Sequence, residues 1–377
     1  MNEVVICAAA AVTALGDTLD QTWERLLKGE CGIRPVTRFD TSGYAAAAAA
    51  CVADLLPAAN GSRLPILLER LLDGFGTVPV ECMLLTASTK GEIDLLERFR
   101  RGEVIDRQKL LPETFLHHLR RMTGLRGEVV NIQAACASST LALGRGAGII
   151  AHGLADAVLV VCCDLVSEFV FSGFSALQAL SPGSCRPFDR HRDGLSLGEG
   201  AAALLLMNRN RAVREKRPVL ARLLGWGAAN DANHITAPAR DGGGLILAVK
   251  RALERSGISP GEVAGISAHG TGTVFNDLME LTAFRTLFGE RKLPLHSVKG
   301  ATGHTLGAAG GIEAALAVRS LESGLLPPTV GLQNAEPGAE GCVDNQALPF
   351  SGKVLLSTNS GFGGINGALI LGREDWR

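Results

Sequence analysis

The chain has 377 residues, of which 46% are hydrophobic, and its formal net charge at pH 7 is −1. This length allows two or three domains or one large integrated unit, with enough apolar material for a sizeable core. The near-zero charge lacks the basic footprint of nucleic-acid-binding proteins, so we expect no nucleic-acid partner. Basic clusters at 98–101 and 209–217 are typical of solvated faces. A docking patch for an acidic partner is the alternative interpretation.

The cysteines and the N-terminus give no indication of secretion or of metal binding. Nine cysteines are scattered without a CxxC pair or a metal-ligand spacing, which favours a reducing cytoplasm and no bound metal. The N-terminal segment MNEVVICAAAAVTALGD carries Glu3 and no preceding positive charge, so it predicts a strand and a loop rather than a signal peptide. No apolar run approaches the ~20 residues that a membrane-spanning helix needs. We therefore expect a cytoplasmic protein without a membrane segment.

Strands and helices are predicted to alternate along the first half of the chain. A continuously apolar run at 157–163 is typical of a parallel strand buried on both faces. Residues 41–80, including an alanine run, predict short helices and loops that cover another part of the molecule. The other predicted strands are 4–10 and 82–87, and the predicted helices are 19–28, 93–101 and 111–121.

The second half repeats the plan of the first. Its predicted strands are 201–207, 219–226, 266–268, 295–298 and a last strand at 353–358, and its predicted helices are 244–256, 277–288 and 312–322. The segments 129–161 and 295–330 each contain a short strand, a turn with a reactive side chain, and an Ala/Gly-rich helix. This likeness indicates an internal duplication of a β-α-β unit and a layered α/β architecture.

The central motif is the stretch VVNIQAACASST at 129–140, in which a short apolar run ends in small residues around Cys136. The residues that follow open a helix that is rich in Ala, Gly and Leu. A cysteine between a buried strand and a helix N-terminus faces unpaired N–H groups and the positive end of the helix dipole. Both favour the thiolate, which is the nucleophilic form. The alternative is that Cys136 is an ordinary buried small apolar residue.

Three further glycine-rich turns place chemically useful groups after predicted strands. His269 opens HGTGT, His304 lies in GATGHTLGAAG, and SGFGGING spans 360–367. Such turns let the backbone approach a ligand closely. Either histidine alone would be interpreted as an ordinary hydrogen-bonded residue. A thiol, two imidazoles and a cluster of free N–H donors together form the inventory of an acyl-transfer site with an oxyanion hole.

Seven motifs occur together and in a fixed order along the chain. They are ACAS around Cys136, GFSALQALS (173–181), RPFDRHRDGLSLGEGAA (186–202), DANHITAP (231–238), HGTGT (269–273), KGATGHTLGAAG (299–310) and SGFGGING (360–367). In these motifs the sequence resembles the elongating β-ketoacyl-(acyl carrier protein) synthases of the Cys-His-His type. The resemblance covers roughly residues 125–370, and with this many motifs chance is a poor explanation.

The resemblance implies the thiolase fold, an α/β architecture in which duplicated β-α-β halves form a layered α-β-α-β-α arrangement. We expect an N-terminal half over 1–210 that carries Cys136 and a C-terminal half over 211–377 that carries both histidines. A shortened cap at about 41–121 would interrupt the first half.

The resemblance also implies roles for individual residues. Cys136 would accept the acyl chain as a thioester from the phosphopantetheine arm of acyl carrier protein, with no cofactor of the protein's own. His269 and His304 would bind the malonyl thioester and drive its decarboxylation, because two N–H donors stabilise the enolate as it forms. The resemblance further implies that Lys299 and Glu313 hold His304 in place, and that Thr271 and Thr273 lie along the pantetheine. Phe174 would contact the substrate. The N–H groups of Cys136 and Phe362 would form the oxyanion hole, and Phe362 would act as a gate.

Three departures from the family pattern concern the cap and two loops. Residues 41–90 are shorter than in relatives, and Ile365 replaces a polar residue in the last motif. The turn that lines the far end of the acyl pocket, across the dimer interface, reads STKG at 88–91. We predict that Lys90 lies near the pocket floor and pairs with Glu92 or Asp94, because an unpaired buried ammonium is costly. The STKG variant is similar to synthases of aryl-polyene and flexirubin-like pigment pathways.

Several other protein classes remain as alternatives. A CoA-dependent thiolase would need a second reactive cysteine in the C-terminal glycine loop, and a starter-type synthase would carry Asn in place of His304. A papain-like protease would explain Cys136 and one histidine but not HGTGT. A chain-length-controlling partner subunit has the same fold but lacks the nucleophile. Besides acyl carrier protein, the resemblance implies a homodimer or a heterodimer with such a sister subunit.

Overall fold

Strands and helices alternate along the chain, and the computed structural model describes residues 1–56, 61–111 and 113–376. The strands in chain order are β1 (Val4–Val12), β2 (Arg34–Pro35), β3 (Ala48–Ala50), β4 (Met83–Ala87), β5 (Val129–Asn131), β6 (Ala157–Asp164), β7 (Leu197–Gly198), β8 (Gly200–Asn208), β9 (Ala221–Asn230), β10 (Gly265–Ser267), β11 (Leu295–His296), β12 (Leu325–Leu326), β13 (Leu348–Pro349), β14 (Val354–Gly361) and β15 (Ile365–Gly372). The helices in chain order are α1 (Leu19–Leu27), α2 (Arg63–Leu72), α3 (Ile93–Arg100), α4 (Glu113–Thr123), α5 (Ser138–Ala151), α6 (Glu168–Ala176), α7 (Arg209–Arg214), α8 (Gly243–Ser256), α9 (Val274–Phe288), α10 (Lys299–Thr302) and α11 (Ala309–Ser323).

Within the described residues, ten strands form one mixed sheet in the order β11-β10-β14-β15-β9-β1-β8-β6-β4-β5. Each half contributes five strands, which can be numbered one to five in chain order. From the edge of the sheet to its centre, both halves then follow the same order: third, second, fourth, fifth, first. The second strand of each half is parallel to its two neighbours, and the remaining pairs are antiparallel. The halves meet through two residue pairs, Val5 with Arg222 and Ile6 with Ala221. This repeated topology confirms the predicted duplication, while the predicted boundary at residue 210 stays a prediction.

Helices α5 and α11 occupy equivalent positions, since each follows the third strand of its half. They contact one another, and the largest hydrophobic core packs them against strands of both halves. Small residues make this approach possible, because a Cβ at Gly310 would lie 2.0 Å from Thr140 Oγ1 and one at Gly311 would lie 2.2 Å from Cys162 Sγ. The first turns of the two helices are thereby brought together.

Two further hydrophobic cores cover the outer faces of the sheet. On the N-terminal half, α2 and α4 contribute residues such as Leu67 and Leu119. On the C-terminal half, α8 and α9 contribute residues such as Val249 and Met279. Together with the central pair of helices, these layers confirm the predicted α-β-α-β-α arrangement. No helix in the described part of the chain is long and apolar enough to span a bilayer.

A buried carboxylate, Glu199, ties the cap to the strand beside the site. It accepts hydrogen bonds from Arg38, from Arg63 at 3.3 Å and from the Val52 N–H at 2.9 Å. Glu199 directly follows β7, and β7 lies against the backbone of His304. Because a buried charge is costly without such partners, this network fixes the cap relative to β7.

The helices and strands predicted from sequence are found, with two differences, and further elements were not predicted, namely α6, α7, α10 and the two-residue strands β2, β7, β12 and β13. The strand at 353–358 is not the last, because Gly363 and Gly364, with φ of 86° and 76°, turn the chain into β15. The alanine run contains β3, which pairs with β2 and β7, rather than a helix or loop. Residues 57–60 and 112 of the predicted cap lie outside the described residues.

Candidate active site

Cys136 lies in a sharp turn between β5 and α5. Ala135 has a left-handed backbone with φ of 48°, and Ala134 and Cys136 form an isolated bridge across it. The Ser138 hydroxyl fixes this turn, since it accepts from the Ala134 N–H at 2.9 Å and donates to the Ala135 carbonyl at 2.6 Å. Gly361 packs on the turn, where a Cβ would lie 3.1 Å from Cys136 N. A strained, over-determined backbone of this kind is typical of functional positions.

Burial dominates the electrostatics of the Cys136 thiol. The residue is 7% exposed, and its burial raises the pKa of the thiol to about 11. The charge of Lys299 lowers this pKa, the charge of Asp164 raises it, and the N–H groups of Phe362 and Cys136 that face the sulfur lower it. The N–H groups beside the sulfur favour the thiolate, as expected, but burial outweighs them in the resting protein. The thiol is protonated at neutral pH.

His269 follows β10 and is held on two sides. Glu280 of α9 accepts from the N–H groups of His269 at 2.8 Å and Gly270 at 2.6 Å. Lys299 Nζ lies 3.2 Å from the His269 ring Nδ1 and also donates to the His269 carbonyl. Because an ammonium group can only donate, Nδ1 is the acceptor and the ring proton lies on Nε2.

His304 is held by its own loop and by β7. Its N–H donates to the Ser196 carbonyl at 2.7 Å, and its carbonyl accepts from the Gly198 N–H. The Leu306 N–H donates to the His304 ring Nδ1 at 3.2 Å. A backbone N–H can only donate, so in this ring, too, the proton lies on Nε2.

The two imidazoles face one another, with ring centroids 5.2 Å apart and planes at 82°. Burial and the charge of Lys299 lower the pKa of both rings well below the usual value, so both are neutral. Two neutral rings with protons on Nε2 offer two N–H donors. Donors fixed in this way can stabilise an oxygen on which negative charge develops.

Lys299 and Glu313 form a buried ion pair behind His269. Burial raises the pKa of Glu313, and the charge of Lys299 opposes that shift. The prediction that this pair holds His304 is wrong, because the Lys299 ammonium contacts His269 and His304 has other partners. Asn359 completes the group, since its side-chain amide donates to Glu313. Asn359 was not among the predicted site residues, although it directly precedes SGFGGING.

These groups meet at a cavity of about 360 Å³. The predicted site residues that line it are Cys136, Phe174, His269, Thr271, Thr273, His304 and Phe362. Phe174 of α6 stacks on Phe362, with ring centroids 5.6 Å apart and planes at 28°. The Phe362 N–H faces the Cys136 sulfur. Phe362 therefore contributes both a wall of the cavity and a donor beside the thiol, while Lys299 and Glu313 lie behind the cavity wall.

Two carboxylates at the start of α9 hold the HGTGT loop. Asp277 accepts from the N–H groups of Thr271 at 3.0 Å and Gly272 at 3.2 Å. The hydroxyls of Thr271 and Thr273 lie 2.9 Å apart. Burial raises the pKa of Glu280 to about 7, and the charge of Asp277 adds to this shift. The sequence analysis missed both carboxylates, and their signal is acidic residues directly after a loop rich in free N–H groups.

Lys90 lies outside this cavity. Its side chain is exposed, and Asp94 is engaged by the Ser62 hydroxyl at 2.6 Å and by Arg63. Among the described residues, neither Glu92 nor Asp94 forms an ion pair with Lys90, so the predicted pairing is wrong. The physical reason is that an exposed ammonium remains hydrated and requires no carboxylate. A role of Lys90 toward substrate stays a prediction.

The basic cluster at 209–217 is an ion-paired surface. Arg209 pairs with Glu3 at 3.0 Å, and Arg211 pairs with Glu215 at 2.6 Å. This agrees with the interpretation as a solvated face, because the charges of these two arginines are matched locally. In residues 1–56, 61–111 and 113–376, no three His, Cys, Asp or Glu side chains come together in a way that could hold a metal ion.

Two family models match the chain. The model described as beta-ketoacyl synthase, N-terminal domain, matches residues 1–59 and 118–212. The model described as beta-ketoacyl synthase, C-terminal domain, matches residues 220–333. These regions contain Cys136 and both histidines of the cavity.

Full-length similarity extends to named proteins and solved structures. The 3-oxoacyl-[acyl-carrier-protein] synthase 2 of Coxiella burnetii is 30% identical over an alignment 415 residues long, and the alignment covers 99% of this chain and 99% of that protein. The crystal structure of a beta-ketoacyl synthase from Burkholderia phymatum is 28% identical with a TM-score of 0.90, covering 99% of this chain and 100% of that chain. A chain from the complex of the ketosynthase ApeO with its chain length factor ApeC, from Xenorhabdus doucetiae, is 30% identical with a TM-score of 0.86, covering 99% and 98%.

Proposed function

Because the chain belongs to the β-ketoacyl synthase family, we propose that it condenses an acyl group bound to Cys136 with malonyl-acyl carrier protein, releasing carbon dioxide. The product is a 3-oxoacyl-acyl carrier protein. The observation that carries this proposal is the convergence of one thiol, two Nε2–H imidazoles and two backbone N–H groups on one cavity.

The first half-reaction transfers the acyl group. The Cys136 sulfur loses its proton and attacks the thioester carbonyl of the acyl donor, the bond between that carbonyl and the pantetheine sulfur breaks, and the departing pantetheine thiolate takes up a proton. The N–H groups of Cys136 and Phe362 stabilise the negative oxygen of the tetrahedral intermediate. The charge of Lys299 and the same N–H groups favour the thiolate against its burial. The stacked rings of Phe174 and Phe362 line the cavity and provide an apolar wall for the acyl chain.

The second half-reaction makes and uses a carbon nucleophile. The bond between the malonyl carboxylate and Cα breaks, carbon dioxide leaves, and its electron pair moves into the thioester as an enolate. The Nε2–H groups of His269 and His304 donate to the enolate oxygen and stabilise it only as it forms. The enolate carbon then attacks the Cys136 thioester, a C–C bond forms, and the cysteine sulfur leaves. The chain and its substrates supply every group, so we propose no bound cofactor.

We also propose acyl carrier protein as the donor of both substrates and a dimer as the working assembly. The name of the Coxiella burnetii relative includes the carrier, and the ApeO structure contains a chain length factor. In this chain, β5 is an edge strand of the sheet with Val130 41% exposed, a surface that a second subunit can cover. Sedimentation as a monomer at micromolar concentration would contradict the dimer. Homodimer or heterodimer, and membership of the pigment subgroup, stay predictions.

A non-catalytic chain-length subunit is not favoured, because the cavity contains the Cys136 thiol beside both donors. The test is reconstitution with hexanoyl- or tetradecanoyl-acyl carrier protein and malonyl-acyl carrier protein, followed by mass spectrometry. We expect an acyl thioester on Cys136 and a 3-oxoacyl product two carbons longer. Cys136→Ala is the control and should yield neither. If both acyl donors left Cys136 unmodified and no carbon dioxide appeared, the proposed function would be rejected.

A further inference from the structure

Asp164, at the end of β6, is a carboxylate that the reaction steps above do not use. It is fully buried. One carboxylate oxygen, Oδ1, accepts from the Ser88 hydroxyl and the Thr89 N–H, both at 3.0 Å. The other oxygen, Oδ2, accepts from the Thr89 hydroxyl at 2.9 Å and the Gly307 N–H at 2.7 Å. Asp164 thus links the 88–91 turn to the loop that carries His304.

Gly307 packs closely against Asp164 and Thr89, so that a side chain at this position would collide with them. A Cβ at Gly307 would lie 2.8 Å from Asp164 Oδ2 and 3.1 Å from Thr89 Cγ2. The neighbouring Leu306 has φ of 53°, a left-handed conformation that is costly for a leucine. Such a residue keeps this conformation only where its surroundings hold it. The residue directly after Leu306 is Gly307, and its N–H donates a hydrogen bond to the buried Asp164 carboxylate.

The strained Leu306 peptide is also the group that orients His304. Its N–H donates to His304 Nδ1 and so places the ring proton on Nε2, toward the cavity. A chain of contacts therefore runs from the Asp164 carboxylate through the Gly307 and Leu306 peptides to the imidazole. Backbone partners of this kind set both the tautomer and the direction of a ring.

We propose that Asp164 is a positioning residue for decarboxylation: it clamps the Gly307 peptide, keeps Leu306 in its left-handed conformation, and so aims the His304 Nε2–H at the enolate oxygen. This inference rests on the proposed function. It gives His304 the support that the sequence analysis expected from Lys299 and Glu313. It also makes the 88–91 turn part of the same clamp, because Thr89 shares Oδ2 with Gly307.

The test compares the two half-reactions in Asp164→Asn. The asparagine has the same shape but carries an NH2 group where one oxygen accepted hydrogen bonds, so the clamp loses acceptors. We expect malonyl decarboxylation per acylatable Cys136 to fall roughly 10- to 100-fold, the usual effect of removing a residue that orients a reacting group. Acyl transfer to Cys136 should be retained. Gly307→Ala, which leaves the carboxylate and crowds it, should change the ratio in the same direction.

Asp94→Asn is the matched control, since Asp94 is a buried carboxylate that also accepts from a hydroxyl and a backbone N–H, but in the cap. Its ratio of decarboxylation to acylation should equal that of the unmodified protein. A histidine 15N spectrum gives a readout that does not need turnover: His304 should lose its pure Nε2–H tautomer in Asp164→Asn, while His269 keeps it.

The outcomes separate the two levels of inference. If the unmodified protein neither acylates Cys136 nor releases carbon dioxide, the proposed function fails, and the 15N spectrum alone then decides the role of Asp164. If the unmodified protein turns over and Asp164→Asn loses both half-reactions in equal proportion, or neither, the positioning role is overturned. An unchanged His304 tautomer in Asp164→Asn would overturn it as well.

Discussion

The turns that precede α5 and α11 occupy equivalent positions in the two halves, yet they are built differently. The Cys136 turn is closed by Ser138, whose hydroxyl binds the N–H of Ala134 four positions earlier. The His304 turn is closed by β7 and by Asp164, which lies 143 residues from its partner Gly307. Each turn contains one non-glycine residue in the left-handed region.

The difference separates two ways of presenting a reactive group. A nucleophile needs one atom at a fixed place, and a local turn at a helix N-terminus can supply that. A hydrogen-bond donor to an enolate needs a defined ring direction and tautomer, so its second nitrogen must be occupied. The hydrogen bonds that close the Cys136 turn therefore come from its own half, whereas the His304 turn depends on hydrogen bonds from the other half.

The largest expected effects come from removing each turn's own group. Cys136→Gln should abolish acyl transfer and C–C bond formation but leave malonyl decarboxylation measurable, because the amide can occupy the space of a bound acyl group. His304→Ala should permit some acylation of Cys136 but slow decarboxylation, since a lost donor costs on the order of 3–4 kcal/mol. That energy corresponds to a factor of hundreds in rate. Carbon dioxide release and acyl transfer are measured side by side.

This division of labour would be wrong if Cys136→Gln released no carbon dioxide, or if His304→Ala released it at the normal rate. Intact circular dichroism spectra and gel-filtration profiles for both variants are the control for folding.

The contrast between the turns also explains which parts were predictable from sequence. Cys136, His269 and His304 were predicted because each lies in a short motif whose glycines and small residues mark a turn after a strand, and Phe362 because it lies in the glycine-rich SGFGGING. The duplication was visible for the same reason, since both halves repeat one local plan. Interactions of residues close in sequence leave a local pattern, and these turns are of that kind.

Contacts between remote residues left no such pattern. Lys299 is near His304 in sequence, but its ammonium reaches His269, thirty positions earlier. Asp164 and Asn359 reach the site only through the three-dimensional arrangement of β6 and β14. The strand β15 was missed because SGFGGING was interpreted only as a glycine-rich loop after the last strand, whereas Gly363 and Gly364 form a hairpin turn.

An intermediate effect is expected from Lys299→Met, which acts on His269 and on Cys136 at once. The variant removes the donor that fixes the His269 tautomer, so decarboxylation should fall roughly 10- to 100-fold. It also removes a charge that lowers the pKa of Cys136. That pKa should therefore rise above its present value of about 11, the thiolate fraction at any lower pH should fall, and alkylation by iodoacetamide at pH 9 should slow.

Lys299→Met also leaves Glu313 buried without its cation, and breaking such a pair typically costs about 3–5 kcal/mol of stability. The double variant Lys299→Met/Glu313→Gln removes both charges and is the matched control. Urea denaturation should show recovered stability in the double variant, while decarboxylation stays low. Recovery of decarboxylation together with stability would show that Lys299 acts on the fold alone and not on His269.

The smallest effect is expected at Lys90, which lies on the 88–91 turn that Asp164 clamps but does not line the cavity of this chain. Lys90→Ala should change the free energy of unfolding by less than about 0.5 kcal/mol, since an exposed side chain without an ion pair contributes little. Its expected effect is on substrate, because a charge beside the far end of an acyl chain disfavours long apolar chains. Elongation of tetradecanoyl- relative to hexanoyl-acyl carrier protein should therefore rise in the variant, with decarboxylation unchanged.

Equal changes on both acyl donors, or none, would remove Lys90 from chain selection. A fall in decarboxylation would instead show that the exposed end of this turn, and not only Thr89, takes part in holding His304.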